Sequence, residues 1–242
     1  MVGRGVRFRL GATPVSCWVD CDRAVVSKRY DYLAGLIPVF DRLLFLPADL
    51  RAKGVAALKP SPGDCVLDVG CGPGTNFRGL SDAVGPTGRI FGVDISPRML
   101  RRAAERCRVN LWKNVELQEC DAADFLAPVS LNAVLFSLSY NTMPNHRDVL
   151  RNVWRQLRPG GSIVIVDARV PSGRFGRLIL PFAIWLMKHT TLGNPLIRPW
   201  DELAELTTDL HTSSHRLGSY YMSCGVKPAS CQSEDRAIRI SV

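Results

Sequence analysis

Short apolar runs alternate with amphipathic stretches along most of the chain, and this alternation predicts an α/β fold. The runs are rich in β-branched residues and bounded by Gly, Pro, Asn or Asp, which is typical of buried strands. Five of them are predicted to form the body of a sheet: 65–69, 89–94, 115–120, 131–137 and 162–167. Two further runs, 213–217 and 219–223, are predicted to close it.

Helices are predicted between the strands, so the sheet is expected to be mostly parallel with helices on both faces. The predicted helices start at position 73, span 97–108 and 145–158, and start again at 199. Ser96 is expected to cap the second of these, and Pro97 takes its first position. Both features favour a helix start.

The strand at 65–69 ends in a glycine corner, defined here as residues 70–74. Gly70, Gly72 and Gly74 alternate in it, and residues without Cβ atoms let a ligand lie against bare backbone. Asp68 would repel a pyrophosphate and suits a ligand that carries an amino group or a positive centre. The chain also lacks the G-x-x-x-x-G-K-[ST] pattern of a Walker phosphate loop. The corner therefore predicts a nucleotide-type site that is not built for a pyrophosphate.

The segment 67–74, LDVGCGPG, closely resembles motif I of the class I S-adenosylmethionine (SAM) methyltransferases. The PGG turn at 159–161 is a second match to that family. YD at 30–31 and FD at 40–41 resemble the repeated aromatic–Asp signature of the UbiE-like branch, the ubiquinone/menaquinone C-methyltransferases and phospholipid N-methyltransferases. The resemblance implies a Rossmann-like class I methyltransferase fold, with a mostly parallel seven-stranded sheet and SAM as the cofactor.

The resemblance also implies which residues bind SAM. Asp94 takes the position that accepts both ribose hydroxyls, and Ile95 the position against the adenine face. Asp121 takes the position that bonds the adenine amino group, with a helix cap as the alternative interpretation. The full predicted cofactor-binding set is Tyr30, Asp68, Gly70, Gly72, Gly74, Asp94, Ile95, Asp121, Ala122 and Ser137.

Residues after the fourth strand are expected to line the active site, since ligands of open α/β sheets bind outside the carboxyl ends of the strands. Tyr140 is the predicted catalytic residue here, through a phenol that orients the acceptor or relays a proton. His146 ranks below it, because it is expected on the surface at a helix start. No metal site is predicted, because the eight cysteines form no C-x-x-C pair and no zinc-ligand spacing.

Residues 24–228 are predicted to form a single methyltransferase domain. Within it, 24–60 is expected to be an N-terminal helical cap and 170–210 a helical lid insertion. Residues 1–23 are predicted as a basic, mobile arm, and residues 229–242 as a loose tail.

Charge and hydropathy bear on the partners and the compartment. The 242 residues carry a net charge of +9, which favours contact with anionic membrane surfaces. The apolar run 179–187, flanked by cations, is predicted as a lid over an apolar substrate, with an interfacial membrane helix and plain core as alternatives. Nucleic acid is not expected as a partner, because no basic run is interleaved with aromatic residues. Cysteine usage and the absence of a secretory-signal pattern predict a cytoplasmic location.

These expectations combine into one function and its alternatives. The chain is expected to be a SAM-dependent enzyme that methylates a lipophilic small molecule, such as a quinol-like compound or an aminophospholipid. The alternatives are a natural-product O-, N- or C-methyltransferase and a SAM-binding regulatory protein without catalysis. A general base is expected only if the accepting atom is a poorly acidic O–H, N–H or C–H.

Overall fold

The computed structural model describes residues 49–171 and 196–229, together with the isolated positions 173, 176, 178, 181, 193 and 194. The predictions for the arm, for the cap before position 49, for most of the apolar run 179–187 and for the tail after 229 lie outside the described residues. Tyr30 lies outside them as well.

In the described part of the chain, seven strands form one sheet. They are β1 (Cys65–Val69), β2 (Arg89–Asp94), β3 (Val115–Glu119), β4 (Leu131–Ser137), β5 (Leu157–Ala168), β6 (Leu210–His215) and β7 (Tyr220–Val226). Their spatial order is β3-β2-β1-β4-β5-β7-β6. Neighbours from β3 to β5 pair in parallel, whereas β7 runs antiparallel to both β5 and β6. The prediction of a mostly parallel seven-stranded sheet is confirmed.

Helices cover both faces of this sheet. The α-helices of the described segments are α1 (Leu50–Ala57), α2 (Phe77–Val84), α3 (Pro97–Asn110), α4 (His146–Gln156) and α5 (Pro199–Ala204). Residues of α1, α2 and α3 share a core with Val66, and residues of α4 and α5 share the opposite core with Leu67. Because successive strand residues point to opposite faces, these neighbours in β1 belong to different cores.

The helix after the glycine corner begins later than the sequence predicted. α2 starts at Phe77 rather than directly after Pro73. Gly72 and Gly74 take φ angles of +54° and +73°, which an α-helix cannot contain. The corner is therefore a run of turns, and the helix starts only after it.

The PGG segment is a bulge inside β5 rather than a turn before it. Leu157 pairs with Leu131 and Ser162 pairs with Ala133, so β5 has extra residues between two consecutive contacts with β4. Gly160 absorbs the irregularity with a φ angle of +74°. As a result, α4 ends at position 156 and not at 158.

The two closing strands differ from their predicted bounds. A 3₁₀ turn at Arg216–Gly218 separates them, so β6 ends at His215 instead of continuing to 217. β7 extends to Val226 instead of ending at 223, because it pairs with β5 over seven residues, Ser162 to Ala168.

The strand order fixes where a ligand can bind. β1 and β4 are neighbours, although β2 and β3 lie between them in the sequence, so the chain leaves β1 and β4 towards opposite sides. Such a switch point opens a crevice at the carboxyl ends of the strands. The glycine corner and the residues after β4 both lie at this edge.

Candidate active site

The three glycines of the corner have different surroundings. Gly70, Gly72 and Gly74 all take positive φ angles, +66°, +54° and +73°. A Cβ atom at Gly70 would lie 2.6 Å from Cβ of Ser139, and one at Gly74 would lie 2.5 Å from the Phe77 ring. A Cβ atom at Gly72 would meet no described atom within 4 Å. Packing therefore requires the outer two glycines, and of the three only Gly72 leaves its backbone uncovered by the described part of the chain.

The carboxylate of Asp94 forms a hydrogen bond with the backbone of Gly72. Its Oδ2 accepts the N–H of Gly72 at 2.8 Å, and its Oδ1 accepts the N–H of Ser96 at 2.9 Å. Ser96 caps α3, as predicted, by accepting the N–H of Met99. Each carboxylate oxygen has more than one lone pair, so Asp94 can hold the corner and still accept hydroxyl groups of a ligand. Its ribose contact, and the adenine contact of the half-buried Ile95, stay predictions.

Asp68 lies beneath the surface of the crevice. Its side chain is fully buried, and both of its oxygens accept from Nδ2 of Asn76 at 3.1 Å. Burial raises the pKa of Asp68 to about 7, against the opposing effects of the Asn76 hydrogen bond and the charge of Arg51. Asp68 therefore fixes Asn76, and its contact with the amino group of a ligand stays a prediction. Among the described residues, Oδ1 of Asn76 is buried without a hydrogen-bond partner.

Asp121 holds a turn after β3 rather than the start of a helix, so the helix cap that was its alternative interpretation does not form. Its Oδ1 accepts the N–H of Ala123 at 2.8 Å. Its two oxygens also accept from Nδ2 of Asn145, at 3.2 and 3.0 Å, which ties the end of β3 to the start of α4. Ala122 is buried, and its carbonyl accepts from Nδ2 of Asn152 at 2.9 Å. The adenine contacts of Asp121 and Ala122 stay predictions.

The end of β4 is fixed beside the glycine corner. The hydroxyl of Ser139 donates to the carbonyl of Val69 at 2.6 Å, which joins β4 to β1. Ser137 is buried, and its Oγ accepts from Nη1 of Arg51 at 3.4 Å. Ser137, a predicted cofactor-binding residue, thus lies at the carboxyl ends of the strands. Arg51 lies beside it, and the sequence analysis did not identify this arginine.

Asn141 joins the ends of β4, β5 and β7. Its backbone N–H donates to Oδ2 of Asp167 at 2.9 Å, and its Nδ2 donates to the carbonyl of Ala168 at 2.7 Å. Its Oδ1 accepts the hydroxyl of Tyr221 at 3.1 Å. Burial raises the pKa of Asp167 to about 6, although the backbone N–H groups that it accepts oppose this. The carbonyl of Asn141 also accepts the N–H of Asn194 at 2.7 Å, so the returning end of the insertion is tied to this edge.

Tyr140 is buried in a polar network rather than open to the crevice. Its side chain is fully buried, and its hydroxyl donates to Oε2 of Glu202 at 2.5 Å. Burial raises the pKa of this phenol, and the negative charge of Glu202 raises it further. A phenol with a raised pKa does not readily release its proton. In this geometry the hydroxyl of Tyr140 positions Glu202, and its catalytic role stays a prediction.

Glu202, on α5, is the centre of that network. Its Oε1 lies 3.1 Å from Nε2 of His146 and 3.4 Å from Nε of Arg147. Burial raises the pKa of Glu202, but hydrogen bonds from His146 and Tyr140 outweigh burial and hold the pKa below its usual range. His146 was expected on the surface, yet only 17% of its side chain is exposed, because it is held between Glu202 and the carbonyl of Met143.

Comparison with known proteins identifies the family. The sequence profile described as "Methyltransferase domain" matches residues 60–215, more than half of the 242 residues. The match includes the glycine corner, Asp94 and the first five strands. The chain belongs to the class I SAM-dependent methyltransferases.

Curated relatives of this methyltransferase differ in their acceptors. It is 30% identical over 149 residues to the demethylmenaquinone methyltransferase of Lactococcus lactis, a match covering 61% of this chain and 57% of that protein. It is 35% identical over 116 residues to the arsenite methyltransferase of Halobacterium salinarum, covering 48% of this chain and 29% of that protein. The chain thus spans less than two thirds of the length of either relative.

Solved structures share the fold of this methyltransferase. The phosphoethanolamine N-methyltransferase 2 of Haemonchus contortus, in complex with phosphomonomethylethanolamine and S-adenosylhomocysteine, matches with a TM-score of 0.69 and 17% identity, over 86% of this chain and 60% of that one. An arsenic(III) S-adenosylmethionine methyltransferase from Chlamydomonas reinhardtii matches with a TM-score of 0.55 and 18% identity, over 77% of this chain and 75% of that one. At these identities the likeness shows the fold alone.

The edge of the methyltransferase sheet fits SAM, the cofactor of the family. Gly72 presents bare backbone beside the carboxylate of Asp94, and no described atom lies within 4 Å of where its Cβ atom would be. Within the described segments, no cluster of three His, Cys, Asp or Glu side chains could hold a metal ion. The same segments contain no helix that is long and apolar enough to cross a membrane.

Three residues of the methyltransferase site escaped the sequence analysis: Arg51, Asn76 and Glu202. Asn76 lies two positions after the motif and is a residue type that favours helix starts, so its position offered a signal. No sequence signal pointed to Glu202, because its partners Tyr140 and His146 lie 62 and 56 residues away in the sequence. An acid in the first turn of α5 is equally well explained by the helix dipole.

Replacing Asp68 by Asn is expected to change how stability depends on pH. The folded protein keeps a proton that the unfolded chain releases between pH 3.8 and about 7, so this carboxyl stabilises the fold at low pH and the stabilisation is lost as pH rises. In Asp68→Asn the amide stays neutral and can pair reciprocally with Asn76, including its unpartnered Oδ1. The free energy of unfolding in urea should then fall less steeply with pH, by up to about 1 kcal/mol per pH unit. Asp82→Asn, at an exposed position, is the control. Equal slopes for Asp68→Asn and wild type would contradict this account.

Tyr140→Phe separates positioning from catalysis. Loss of the hydroxyl leaves Glu202 one buried hydrogen bond short, which should lower the free energy of unfolding by about 1–3 kcal/mol. The methyl-transfer rate of the folded variant should stay within about tenfold of wild type, whereas loss of a general acid or base costs about 10²–10⁴-fold. Tyr221→Phe, which removes an equally buried hydroxyl from Asn141, is the matched control. A large rate loss at unchanged stability in Tyr140→Phe alone would restore the catalytic role.

Proposed function

We propose that this methyltransferase transfers the methyl group of SAM to a lipophilic small molecule, either a quinol-like compound or an aminophospholipid. The observation that carries the SAM part is the open backbone at Gly72 beside Asp94. The lipophilic acceptor is supported by the apolar run 179–187 and by the similarity to demethylmenaquinone methyltransferases.

On the cofactor side, the residues at the carboxyl ends of the strands would bind SAM and orient it. Asp94, which accepts the N–H groups of Gly72 and Ser96, would also accept the ribose hydroxyls, since a carboxylate has about four lone-pair sites. Bound SAM supplies an electrophilic methyl group on its own sulfonium centre, so the reaction depends on how the protein aligns the two reactants. The bond between Ser139 and Val69 keeps the corner and the end of β4 in a fixed relation, as such alignment requires.

On the acceptor side, the titratable groups near the crevice form hydrogen bonds that stabilise the fold. Tyr140 donates to Glu202, and Glu202 also accepts from His146. Asp167 accepts the backbone N–H groups of Asn141 and Ala168. Since these groups hold the fold, they support an acceptor that brings its own nucleophilic atom, such as the ring carbon of an ionised quinol or a free amine.

The charge of the described surface supports delivery of the acceptor from an anionic membrane. α3 carries five arginines and one acidic residue, Glu105, and the whole chain has a net charge of +9. The arginines are Arg98, Arg101, Arg102, Arg106 and Arg108. A basic surface of this kind is attracted to anionic headgroups in a manner that salt screens.

Arsenite is an alternative methyl acceptor, suggested by the similarity to the arsenite methyltransferase of Halobacterium salinarum. Arsenic(III) binds thiolates, but burial raises the pKa of the Cys71 thiol well above its usual value. The half-buried Cys107 and Cys120 also have raised pKa values because of burial. These described thiols therefore do not favour arsenite.

An assay with methyl-labelled SAM tests the proposed acceptor. The wild-type protein would be offered a demethylated quinol in micelles, an aminophospholipid in vesicles, and arsenite in buffer. Label is expected in the lipid-extractable product, and faster from anionic than from neutral vesicles at low salt. Trp185→Glu, in the apolar run, should lose much of this transfer while keeping its SAM affinity. Label only in water-soluble or arsenic products, with Trp185→Glu fully active, would contradict the lipophilic acceptor.

A further inference from the structure

Two arginines from different parts of the chain lie around the ring of Trp200, in the first turn of α5. Cζ of Arg169, which directly follows β5, lies 5.4 Å from the centre of this ring. Cζ of Arg198, which directly precedes α5, lies 5.6 Å from it. Both distances fit a cation–π contact, which holds the two guanidinium groups near one aromatic side chain. These three residues are called the arginine–tryptophan cluster below.

The cluster lies at the carboxyl end of β5, on the far side of β4 from Asp94. The Trp200 ring packs edge-on against Tyr221 of β7, with ring centres 5.1 Å apart. The hydroxyl of Tyr221 donates to Asn141, in the turn after β4. Tyr221 alone therefore separates Trp200 from this turn. Because β4 and β1 lie between β5 and β2, the cluster and the proposed ribose position take opposite sides of the same edge.

Arg169 is fixed by neutral groups. Its Nε donates to the carbonyl of Gly218 at 2.9 Å, and its Nη2 donates to Oγ of Ser214 at 2.7 Å. The residue is half-buried, and within the described segments no carboxylate pairs with it. A charge that has lost part of its water without gaining a counter-ion is unfavourable unless an anion compensates it. Arg169 is therefore a fixed cation whose charge is open to an anionic ligand.

The cluster has further donors without a partner in the described part of the chain. Nε of Arg198 pairs with Asp201 at 2.9 Å on the surface, and its two Nη groups donate to no other described residue. The indole N–H of Trp200 also donates to no described residue, and it is not sealed from solvent. Together with Nη1 of Arg169, the cluster offers donors on three side chains.

Donors on several side chains suit a phosphate group. The oxygens of this tetrahedral anion point in different directions, whereas the planar carboxylate is satisfied by a single guanidinium fork. More positive charge lies at the same end of the sheet, on Arg147 at the start of α4 and on Arg216 between β6 and β7. Both arginines are exposed, so they would raise the local concentration of an anion.

We propose that the arginine–tryptophan cluster binds a phosphate group of the methyl acceptor, an inference that rests on the proposed function. A phosphate held there directs the rest of the acceptor towards Asn141 and the end of β4. In an aminoethyl phosphate an O–C–C link joins the phosphorus to the amine, so the amine lies on the side of the proposed cofactor site. Of the two acceptor classes under the proposed function, the cluster selects the aminophospholipid, because a quinol-like compound carries no phosphate.

Titration calorimetry with water-soluble probes tests the site without turnover. The probes are phosphoethanolamine, glycerophosphoethanolamine and ethanolamine, added to the full chain saturated with S-adenosylhomocysteine. Wild type should bind the two phosphate probes and not ethanolamine. Arg169→Met should weaken both phosphate probes by about 10- to 100-fold and leave the affinity for S-adenosylhomocysteine unchanged. Arg169→Lys should recover part of the loss, since it keeps the charge without the fork.

A matched pair of variants separates phosphate binding from a structural role. Arg198 and Arg151 are both exposed, and each pairs with an acid three residues away on its own helix or helix start. Arg198→Met should weaken the phosphate probes, whereas Arg151→Met should not. Unchanged phosphate affinity in Arg169→Met and Arg198→Met would overturn the site, whatever their stability. If Arg169→Met fails to fold, Arg198→Met still decides, as does wild type: equal affinity for ethanolamine and phosphoethanolamine would overturn the site.

Methyl transfer from labelled SAM separates the two sources of the phosphate and tests the proposed function apart from the site. The acceptors are phosphatidylethanolamine in vesicles, phosphoethanolamine in buffer and a demethylated quinol in micelles. Arg198→Met should raise KM for the phosphate-bearing acceptor about tenfold with little change in kcat. Label in phosphoethanolamine alone would support the site and contradict the lipophilic acceptor. Label in the quinol alone, at equal rates in wild type and Arg198→Met, would overturn the site and leave the proposed function standing.

Discussion

The carboxylate of Asp94 ties the glycine corner after β1 to the helix that follows β2, and the cofactor edge depends on this bridge. It holds the N–H of Gly72 and the N–H of Ser96 at the same time. A corner with three glycines at positive φ angles has many backbone conformations open to it, so a hydrogen-bond acceptor outside the corner has to fix one of them. Packing fixes the flanks of the corner, through Ser139 and Phe77, and leaves the backbone at Gly72 open. The same carboxylate thus shapes the loop beside the proposed cofactor site.

The acceptor side is organised by a second set of buried polar contacts. Glu202 joins α5 to Tyr140 and His146, while Asn141 joins β4 to β5, β7 and the returning end of the insertion at Asn194. Partly satisfied polar networks destabilise a core, whereas satisfied ones specify a single arrangement. The network therefore anchors the returning end of the insertion to the edge of the sheet where the proposed cofactor site lies. Transfer between two bound molecules requires this fixed relation.

The parts of the molecule that follow from local sequence were predictable. The strands, the glycine corner and the cap at Ser96 each depend on residues within a few positions of one another. The start of α2 was misplaced, because only the positive φ angles at Gly72 and Gly74 exclude a helix after Pro73. The sequence analysis also did not place Tyr140 in a buried network. The burial of Tyr140 and its bond to Glu202 arise from contacts across the fold, and no local pattern reports them.

A pair of glycine substitutions tests the central claim that SAM lies against the open backbone of the corner. Gly72 and Gly160 have φ angles of +54° and +74°, and a Cβ atom at either would meet no described atom within 4 Å. Gly72→Val and Gly160→Val therefore impose similar backbone strain, but only the first places a side chain beside Asp94. Calorimetric titration with S-adenosylhomocysteine should show binding abolished in folded Gly72→Val and retained in Gly160→Val. Normal affinity in a folded Gly72→Val protein would contradict the account.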